Sequence, residues 1–418
     1  MTTDIRIETA AYSDSLDWLD SRAPAMIDLV RDWSAINSGS DNRDGLAEMG
    51  ARIDAAFAPL GAELSHSPLD PVTHVLDNGD VADRPLGRVH RFVKRPDAPR
   101  RVLLTGHIDT VFPRDHPFQS ARLLDDITLN GPGVADMKGG LIVMLHALLA
   151  LERSPQAAKL GWEVLISPDE EIGSPGSAAI LAERAPQADI GLTYEPALAD
   201  GTLAGARKGS GNFALVVTGR SAHAGREFDK GRNAIVAAAE LVRGLDALNG
   251  QRDGVTVNVA VIHGGTAPNI VPDRAMLRVN ARVPAAADAR WVEAALKRVA
   301  DETAARDGIA VAVHGGFNRP PKPLSGANER LFDAVAACGA ALGLEIAWRA
   351  TGGCCEGNNL AAAGLPNVDT LGVRGGNIHS PDEFCLLDSL AERARLSALI
   401  MMAFAEGQFD ISAGTDHD

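Results

Sequence analysis

The order of strands and helices predicted from the sequence indicates an α/β protein in which a small domain interrupts a larger one. Strands and helices alternate from about residue 25 to residue 205, which is typical of a parallel sheet covered by helices on both faces. From there to about residue 317 the order becomes strand, helix, strand, strand, helix, strand, which is the ferredoxin-like split unit. The alternation then resumes, so the larger domain must be discontinuous.

Length and composition support two domains. At 418 residues the chain exceeds the usual size of one core, and its 45% of hydrophobic residues are enough to fill two. The stretch FNRPPKPLSG contains three prolines in ten residues and indicates the linker that returns to the larger domain. We therefore predict a larger domain at 1–207 and 319–418, with the inserted domain at 208–318.

Charge and apolar content argue against several classes of partner. A net charge of −15 disfavours nucleic acids and anionic membranes. The sequence contains no run of about 18 apolar residues, so we expect no membrane-spanning segment. The first residues, MTTDIRIETAAYSD, lack the charged and apolar regions of an export signal, so we expect a cytoplasmic protein unless a signal has been removed.

Side chains that could bind metal ions occur just past a series of apolar runs. They are His107 after RRVLLTG, Asp136 in the loop GPGVADMKGG, Glu170 and Glu171 after WEVLISPD, Glu195 after DIGLTY, and His379 in TLGVRGGNIHS. Residues at strand ends are held rigidly and face a cleft. Two histidines and three carboxylates from this set would suit a pair of zinc ions.

Each motif alone also has a structural explanation. A lone His-x-Asp is more often a satisfied core or surface histidine than a metal site. Asp136 could cap the helix that follows it, and two adjacent glutamates are usually solvated surface. However, two carboxylates forced into one site repel each other unless a cation is present. The repetition of the pattern along the chain favours the metal site.

Neighbouring residues indicate supporting roles. Asp109 is placed to accept the N–H of the second imidazole nitrogen of His107, which would fix the ring. Consecutive side chains at a strand end point in different directions, so one glutamate of the pair could bind metal while the other acts as a general base.

In this order the motifs closely resemble the glutamate carboxypeptidase, acetylornithine deacetylase and aminoacylase family of two-zinc hydrolases, and the glutamate carboxypeptidase branch most of all. The resemblance covers nearly the whole chain, including GRSAHAG around His223, GGTAPNIVPD around Asn269, and the strand RVNARV with Arg282. It implies a discontinuous catalytic domain with a mixed, mostly parallel sheet flanked by helices. It also implies that the inserted ferredoxin-like domain is a lid through which two chains form a homodimer.

The resemblance assigns a role to each ligand. It implies a bridging position for Asp136, one ion completed by His107 and Glu195, a second ion completed by Glu171 and His379, and a cis peptide at Asp136–Met137. Each subunit would then hold two Zn²⁺ ions, for which Mn²⁺ or Co²⁺ could substitute. Three carboxylates, two zinc ions and a bridging hydroxide add to zero formal charge, so a neutral resting site is available.

The family resemblance also implies roles for residues that take part in the reaction or bind the substrate. Glu170 would be the general base, and Asp109 would orient His107. His223 would stabilise the tetrahedral intermediate in the partner's active site, unless it only closes a turn. Arg282 would bind a substrate carboxylate or form a structural salt bridge, and Asn269 would help bind that carboxylate or support a turn.

The expected function is a zinc exopeptidase that removes a C-terminal glutamate or aspartate, oligo-aspartate included, by attack of a metal-bridging hydroxide. The acidic preference rests on the resemblance and on basic residues near the expected pocket: Arg207, Lys208, Arg226, Arg319 and Arg374. These charges could equally be solvated faces. One alternative is a deacylase of N-acyl amino acids with neutral or basic side chains. The other is a catalytically silent binding protein, which the intact ligand set disfavours.

Two segments complete the predictions. The cysteines are too few for a disulfide framework and badly spaced for a zinc knuckle, so we expect free thiols, with Cys354 or Cys355 of TGGCCEGN a candidate for the pocket lining. The stretch LDPVTHVLDNGDVADRPLGRVH has no clear period and is expected to form a surface hairpin near the cleft.

Overall fold

The computed structural model describes residues 5–411. Its helices are α1 (Ser13–Asp20), α2 (Ala23–Ser34), α3 (Arg43–Phe57), α4 (Lys138–Arg153), α5 (Ala178–Arg184), α6 (Ala234–Asp246), α7 (Ala286–Ala304), α8 (Gly326–Ala341), α9 (Glu356–Ala362) and α10 (Asp388–Glu406). None of the helices in this range is both long enough and apolar enough to cross a membrane.

The strands of the described range are mostly short. They are β1 (Glu63–Pro68), β2 (Val72–Val75), β3 (Val81–Arg84), β4 (Arg88–Lys94), β5 (Arg100–His107), β6 (Arg122–Leu123), β7 (Thr128–Asn130), β8 (Leu160–Ser167), β9 (Ile190–Thr193), β10 (Ala197–Leu198), β11 (Leu203–Arg207), β12 (Gly209–Thr218), β13 (Ala222–His223), β14 (Thr256–Gly264), β15 (Ile270–Val271), β16 (Arg274–Val283), β17 (Ala310–Arg319), β18 (Trp348–Thr351), β19 (Asn367–Val368), β20 (Arg374–Gly376) and β21 (Phe384–Leu386).

The larger sheet lies between two layers of helices. Its strand order is β1-β4-β8-β5-β9-β19, with antiparallel pairs from β1 to β8 and parallel pairs from β8 to β19. Along β5, Val102 and Leu104 pack in the core that includes α4 and α10, whereas Leu103 packs in the core that includes α5 and α9. The apolar run of this strand therefore serves both faces of the sheet.

The inserted unit has its own sheet and its own core. Its strand order is β14-β16-β12-β17, all antiparallel, with α6 and α7 packed on one face. Along β12, Leu215 packs with these helices while Val216 faces the opposite side. Helix α6 begins where Asn233 accepts hydrogen bonds from the backbone N–H groups of Ile235 and Val236. The predicted fold class is confirmed, and the exact domain boundaries stay a prediction.

A hairpin of the larger domain, formed by β2 and β3, lies against the open face of the inserted sheet. We call residues 72–84 the docking hairpin. Val75 packs against Val216 and Met276. Ion pairs join the same surfaces, from Asp77 to Arg278 at 2.9 Å and from Asp80 to Arg274 at 2.8 Å. The two domains are thus in contact away from the chain crossings that connect them.

Candidate active site

The parallel strands bring the predicted metal ligands to one edge of the larger sheet. His107 is the last residue of β5, Glu171 lies in a short helical turn after β8, and Glu195 follows β9. Carboxyl ends of parallel strands meet at the same edge, which explains why these side chains converge. Asp136 enters from the loop before α4, and His379 enters from the loop after β20 with a left-handed φ of 63°.

Asp136 lies between two halves of the cluster and directs one carboxylate oxygen toward each. Its Oδ1 is 3.2 Å from His107 Nε2, which is 3.7 Å from Glu195 Oε1. Its Oδ2 is 3.3 Å from His379 Nε2, which is 3.2 Å from Glu171 Oε2. Two ligand atoms about 2.1 Å from one tetrahedral zinc ion lie about 3.4 Å apart, so both halves have the spacing of a metal site. The residues fit a dinuclear metal centre.

Burial and repulsion shift the protonation of this cluster. Burial and the Asp136 carboxylate raise the pKa of Glu171 to about 8, and the same causes raise the pKa of Glu195 well above its usual value. Hydrogen bonds to Asp136 and Glu171 raise the pKa of His379 to about 11. Burial opposes ionisation of Asp136, but hydrogen bonds from His107 and His379 hold its pKa below the usual range. Cations would relieve this repulsion among the carboxylates.

Asp109 organises both His107 and the turn that carries the two glutamates. Nδ1 of His107 lies 2.9 Å from the backbone carbonyl oxygen of Asp109 and 3.3 Å from its carboxylate. The carboxylate accepts hydrogen bonds from the backbone N–H groups of Glu170 and Glu171, both at 3.1 Å, and from the Ser40 hydroxyl at 2.7 Å. The backbone carbonyl thus makes the shorter contact with the ring, and the carboxylate mainly fixes the glutamates.

The sequence-based predictions missed Glu383, which holds the loop of Asp136. Its buried carboxylate accepts hydrogen bonds from the backbone N–H groups of Gly133, Ala135 and Asp136 at 3.0 to 3.1 Å. The peptide bond between Asp136 and Met137 in this loop is cis, as the family resemblance implied. In the segment SPDEF nothing distinguishes this buried acid from its exposed neighbour, so no local signal could have found it.

Glu170 forms an ion pair with Arg319 at the end of β17. Glu170 Oε1 and Arg319 Nη2 lie 2.6 Å apart, and their side chains are only 10% and 3% exposed. Arg319 also donates to Asn359 Oδ1 at 2.5 Å. A basic residue that we expected to attract substrate therefore holds the candidate base instead, across the junction between the domains.

The cluster opens into a cavity of about 400 Å³ that both domains line. Its lining includes Arg207, Arg282, Arg319, Arg349 and Cys354. Arg207 pairs with Asp369 at 2.8 Å, a carboxylate that also pairs with Lys322 at 2.8 Å, and Arg319 pairs with Glu170. Among residues 5–411, Arg282 forms no ion pair with a carboxylate. Arg349 forms no ion pair within 4 Å in this range, but its charge also acts on the carboxylate of Asp200. Arg282 is therefore the positive charge in the cavity that is most available to a ligand.

The other basic residues expected near the pocket do not line this cavity: Lys208, Arg226 and Arg374. Lys208 donates to the backbone carbonyl of Gly254, and Arg374 pairs with Asp388 at 2.9 Å. For these residues the structure favours the alternative of charges that lie outside the pocket, since the side chains of Lys208 and Arg374 find partners elsewhere. The expectation for the TGGCC segment is confirmed, because Cys354 and Cys355 line the cavity and all the cysteines are free.

His223 and Asn269 lie together on the inserted domain, but neither lines the cavity. Strand β13, which ends at His223, pairs with β15, and the N–H of Ala224 donates to the carbonyl oxygen of Asn269 at 3.0 Å. Both side chains are exposed. Within one chain the structure brings Arg282 to the metal-ligand pocket and leaves His223 and Asn269 outside it.

A model of peptidase family M20/M25/M40 matches residues 103–403, a range that contains every predicted metal ligand. The chain belongs to this family. Carboxypeptidase G2 of Pseudomonas sp. (strain RS-16) is 27% identical to it over 395 residues, which are 92% of this chain and 90% of that protein.

Two solved structures share the fold of this M20 chain. The di-peptidase Dug1p of Saccharomyces cerevisiae has a TM-score of 0.73 and 12% identity, covering 96% of this chain and 99% of that one. The M20 metallo-carboxypeptidase Sso-CP2 of Sulfolobus solfataricus has a TM-score of 0.68 and 16% identity, covering 91% and 99%. At such low sequence identities these similarities show a shared fold and nothing about activity. Family membership and the ligand cluster together make this chain an M20 metallohydrolase.

Proposed function

We propose that this M20 protein is a zinc carboxypeptidase that hydrolyses the amide bond to a C-terminal glutamate or aspartate, including oligomers of aspartate. The observation that carries the proposal is Arg282, which lines the cavity beside the ligand cluster and forms no ion pair with a carboxylate among residues 5–411. Arg349 also lines the cavity, although its charge acts on Asp200 as well. An acidic amino acid offers two carboxylates, and a guanidinium is the side chain best suited to bind each of them. Similarity to carboxypeptidase G2 also supports this reaction class.

In the proposed mechanism Asp136 would contribute to both halves of a metal centre, together with His107 and Glu195 in one half and Glu171 and His379 in the other. When bound, the ions would supply polarisation of the scissile carbonyl and activation of water. Glu170 accepts the proton of the attacking water and delivers it to the leaving nitrogen.

The ion pair of Glu170 with Arg319 supports this role. The guanidinium of Arg319 lies 2.6 Å from Glu170 Oε1 and holds this carboxylate in one orientation. The pair also fixes the side chain beside the ligand cluster. Asp109 supports the same turn through the backbone N–H groups of both glutamates.

The substrate proposal is tested with a matched panel in which one acyl group is joined to Glu, Asp, Leu, Phe, Lys or Orn. Zinc-loaded protein is assayed with and without a chelator. Chelator-sensitive release of only Glu or Asp is the expected result. Preference for a neutral or basic residue would favour the N-acyl-amino-acid deacylase. Absence of both hydrolysis and bound metal would favour a silent binding protein.

We also propose that two chains form a homodimer through the inserted domain and that His223 serves the active site of the partner. The exposed position of His223 outside the cavity of its own chain supports this. Mixing inactive Glu170→Gln and His223→Ala subunits would then restore about a quarter of parent activity, because half of the random dimers contain one complete site. Mixing Glu170→Gln with Asp136→Asn is the control and restores none. Lack of recovery in the first mixture would contradict action in trans.

A further inference from the structure

The guanidinium of Arg282 is held in the cavity by neutral groups only. Its Nε donates to Asn280 Oδ1 at 3.0 Å. Its Nη1 donates to Cys354 Sγ at 3.2 Å and to the carbonyl oxygen of Gly352 at 3.4 Å. Within residues 5–411 Nη2 has no hydrogen-bond acceptor, and no carboxylate pairs with the group. One part of the guanidinium is therefore fixed while the remainder keeps its charge and donors for a ligand.

The thiol of Cys354 reaches Arg282 from the other domain. Arg282 lies on β16 of the inserted sheet, whereas Cys354 lies between β18 and α9 of the larger domain. The contact thus joins the two domains at the cavity that both of them line. An arginine side chain that is already fixed loses less conformational entropy when a ligand binds.

The two adjacent cysteines have different surroundings. Cys355 is buried and caps α9, where its Sγ accepts a hydrogen bond from the N–H of Gly357 at 3.3 Å. This cap fixes the backbone at Cys355, and it therefore also fixes the direction from which the neighbouring Cys354 approaches Arg282. Cys354 itself is half-buried and lines the cavity. A weak, uncharged acceptor at this point orients the guanidinium without neutralising it, which a carboxylate would do.

We propose that Cys354 is a positioning residue, which holds Arg282 in the orientation that binds the carboxylate of the substrate. The inference rests on the proposed function, because it assumes that Arg282 binds a substrate carboxylate. Cys354 acts through Arg282 and touches no reacting atom.

Substitution of Cys354 tests the proposal. For release of C-terminal glutamate, Cys354→Ala is expected to raise KM about fivefold, the effect of one hydrogen bond, and to leave kcat within about twofold. Cys354→Ser keeps an acceptor and restores KM. Cys354→Asp raises KM more than the alanine variant does, since its carboxylate competes with the substrate for Arg282. In an Arg282→Ala background, Cys354→Ala has no further effect on KM.

Thiol labelling gives an independent readout in the unmodified protein. Cys338, Cys355 and Cys385 are buried, so iodoacetamide is expected to react first at Cys354. In chelator-treated protein, which should not hydrolyse the probe, N-acetylglutamate is expected to slow this reaction because it occupies Arg282. N-acetylglutamine dimethylamide, which lacks both carboxylates, should not slow it. Peptide mass spectrometry identifies the labelled cysteine.

The outcomes separate the inference from the proposed function. If Arg282→Ala raises KM but neither Cys354→Ala nor Cys354→Asp does, the positioning role is wrong and the carboxypeptidase proposal stands. If Cys354→Ala lowers Tm and kcat but not substrate affinity, its role is structural and the inference is also wrong. If Arg282→Ala leaves KM unchanged and the panel shows no preference for Glu or Asp, the proposed function itself has failed.

Discussion

The larger domain and the inserted domain each form one side of the active-site cavity. A single chain brings together the candidate residues of the first side but not all those of the second. On the larger domain, the predicted metal ligands contact one another at 3.2 to 3.7 Å, and backbone N–H groups that donate to Asp109 and Glu383 hold their loops. On the inserted domain, Arg282 has only neutral partners, and His223 and Asn269 lie outside the cavity. On the larger domain, the ends of neighbouring strands bring the residues together. On the inserted domain, the positions of the residues depend on how that domain lies relative to the larger one.

This difference separates the chemistry from the specificity. The ligand side concentrates buried carboxylates whose repulsion favours bound cations. Substitutions there should change metal content and stability. The inserted side presents Arg282, which a substrate carboxylate can pair with, so substitution there should change KM and substrate preference.

Loss of the shared ligand is the largest expected effect. Asp136→Asn removes a ligand from both halves of the cluster, so we expect loss of both metal ions and of activity. Metal-dependent stabilisation should disappear too, which is about 4 kcal/mol for each ion when free metal is at 1,000 times its Kd. Metal analysis and Tm with and without zinc measure this. Arg282→Ala is the control from the other side and should keep both ions, and an Asp136→Asn protein with two bound ions would contradict the assignment.

Removal of the base tests the ligand side without disturbing its metals. Glu170→Gln should lower kcat by about a thousandfold, within the usual range for a general base, while metal content stays unchanged. Steady-state kinetics with a glutamate-terminal substrate measure the effect. Turnover within tenfold of the parent would show that another group accepts the proton.

The pH dependence of the two sides should differ. Below a pKa of about 8 for Glu171 and about 11 for His379, these ligands carry protons that a metal ion must displace. Zinc affinity should therefore rise from pH 6 to pH 8, by about tenfold per unit for each proton released. Competition with a chelating dye and calorimetry in two buffers measure affinity and proton release. Arg282 stays charged throughout, so the contribution of Arg282 to KM should not change. A zinc affinity that does not change between pH 6 and pH 8 would show that Glu171 and His379 carry no protons that the metal ion must displace.

The smallest expected effect concerns the exposed arginine of the cavity. Arg349→Ala should lower the ratio of kcat/KM for glutamate-terminal over leucine-terminal substrates by about fivefold or less, because exposed ion pairs contribute up to about 1 kcal/mol. Arg349→Lys keeps the charge and should retain most of the preference. An unchanged ratio in both variants would remove Arg349 from the specificity determinants.

The sequence predicted the parts of the site that are marked locally. All five ligands follow apolar runs, and the strand and helix order of the inserted unit can be read from its periodicity. The role of Glu383 and the pairing of Arg319 with Glu170 could not be predicted, because the partners lie 247 and 149 residues apart along the chain and no local pattern marks either contact. The ion pair of Arg207 with Asp369, 162 residues apart, escaped prediction for the same reason.

The docking hairpin is an intermediate case. A surface hairpin near the cleft was expected, and the segment does fold as β2 and β3. Its attachment to the inserted sheet was not expected, because the surfaces that meet come from separate domains and their complementarity exists only after both have folded.

The attachment of the docking hairpin to the inserted sheet should depend on ionic strength. The ion pairs of the docking hairpin with Arg274 and Arg278 are 40% or more exposed on every side chain, so dissolved salt screens them. The contact of Val75 with Met276 is buried and persists in salt. Dissolved salt should therefore weaken the polar part of this contact between the domains, while its apolar part and the predicted metal ligands at the strand ends stay in place.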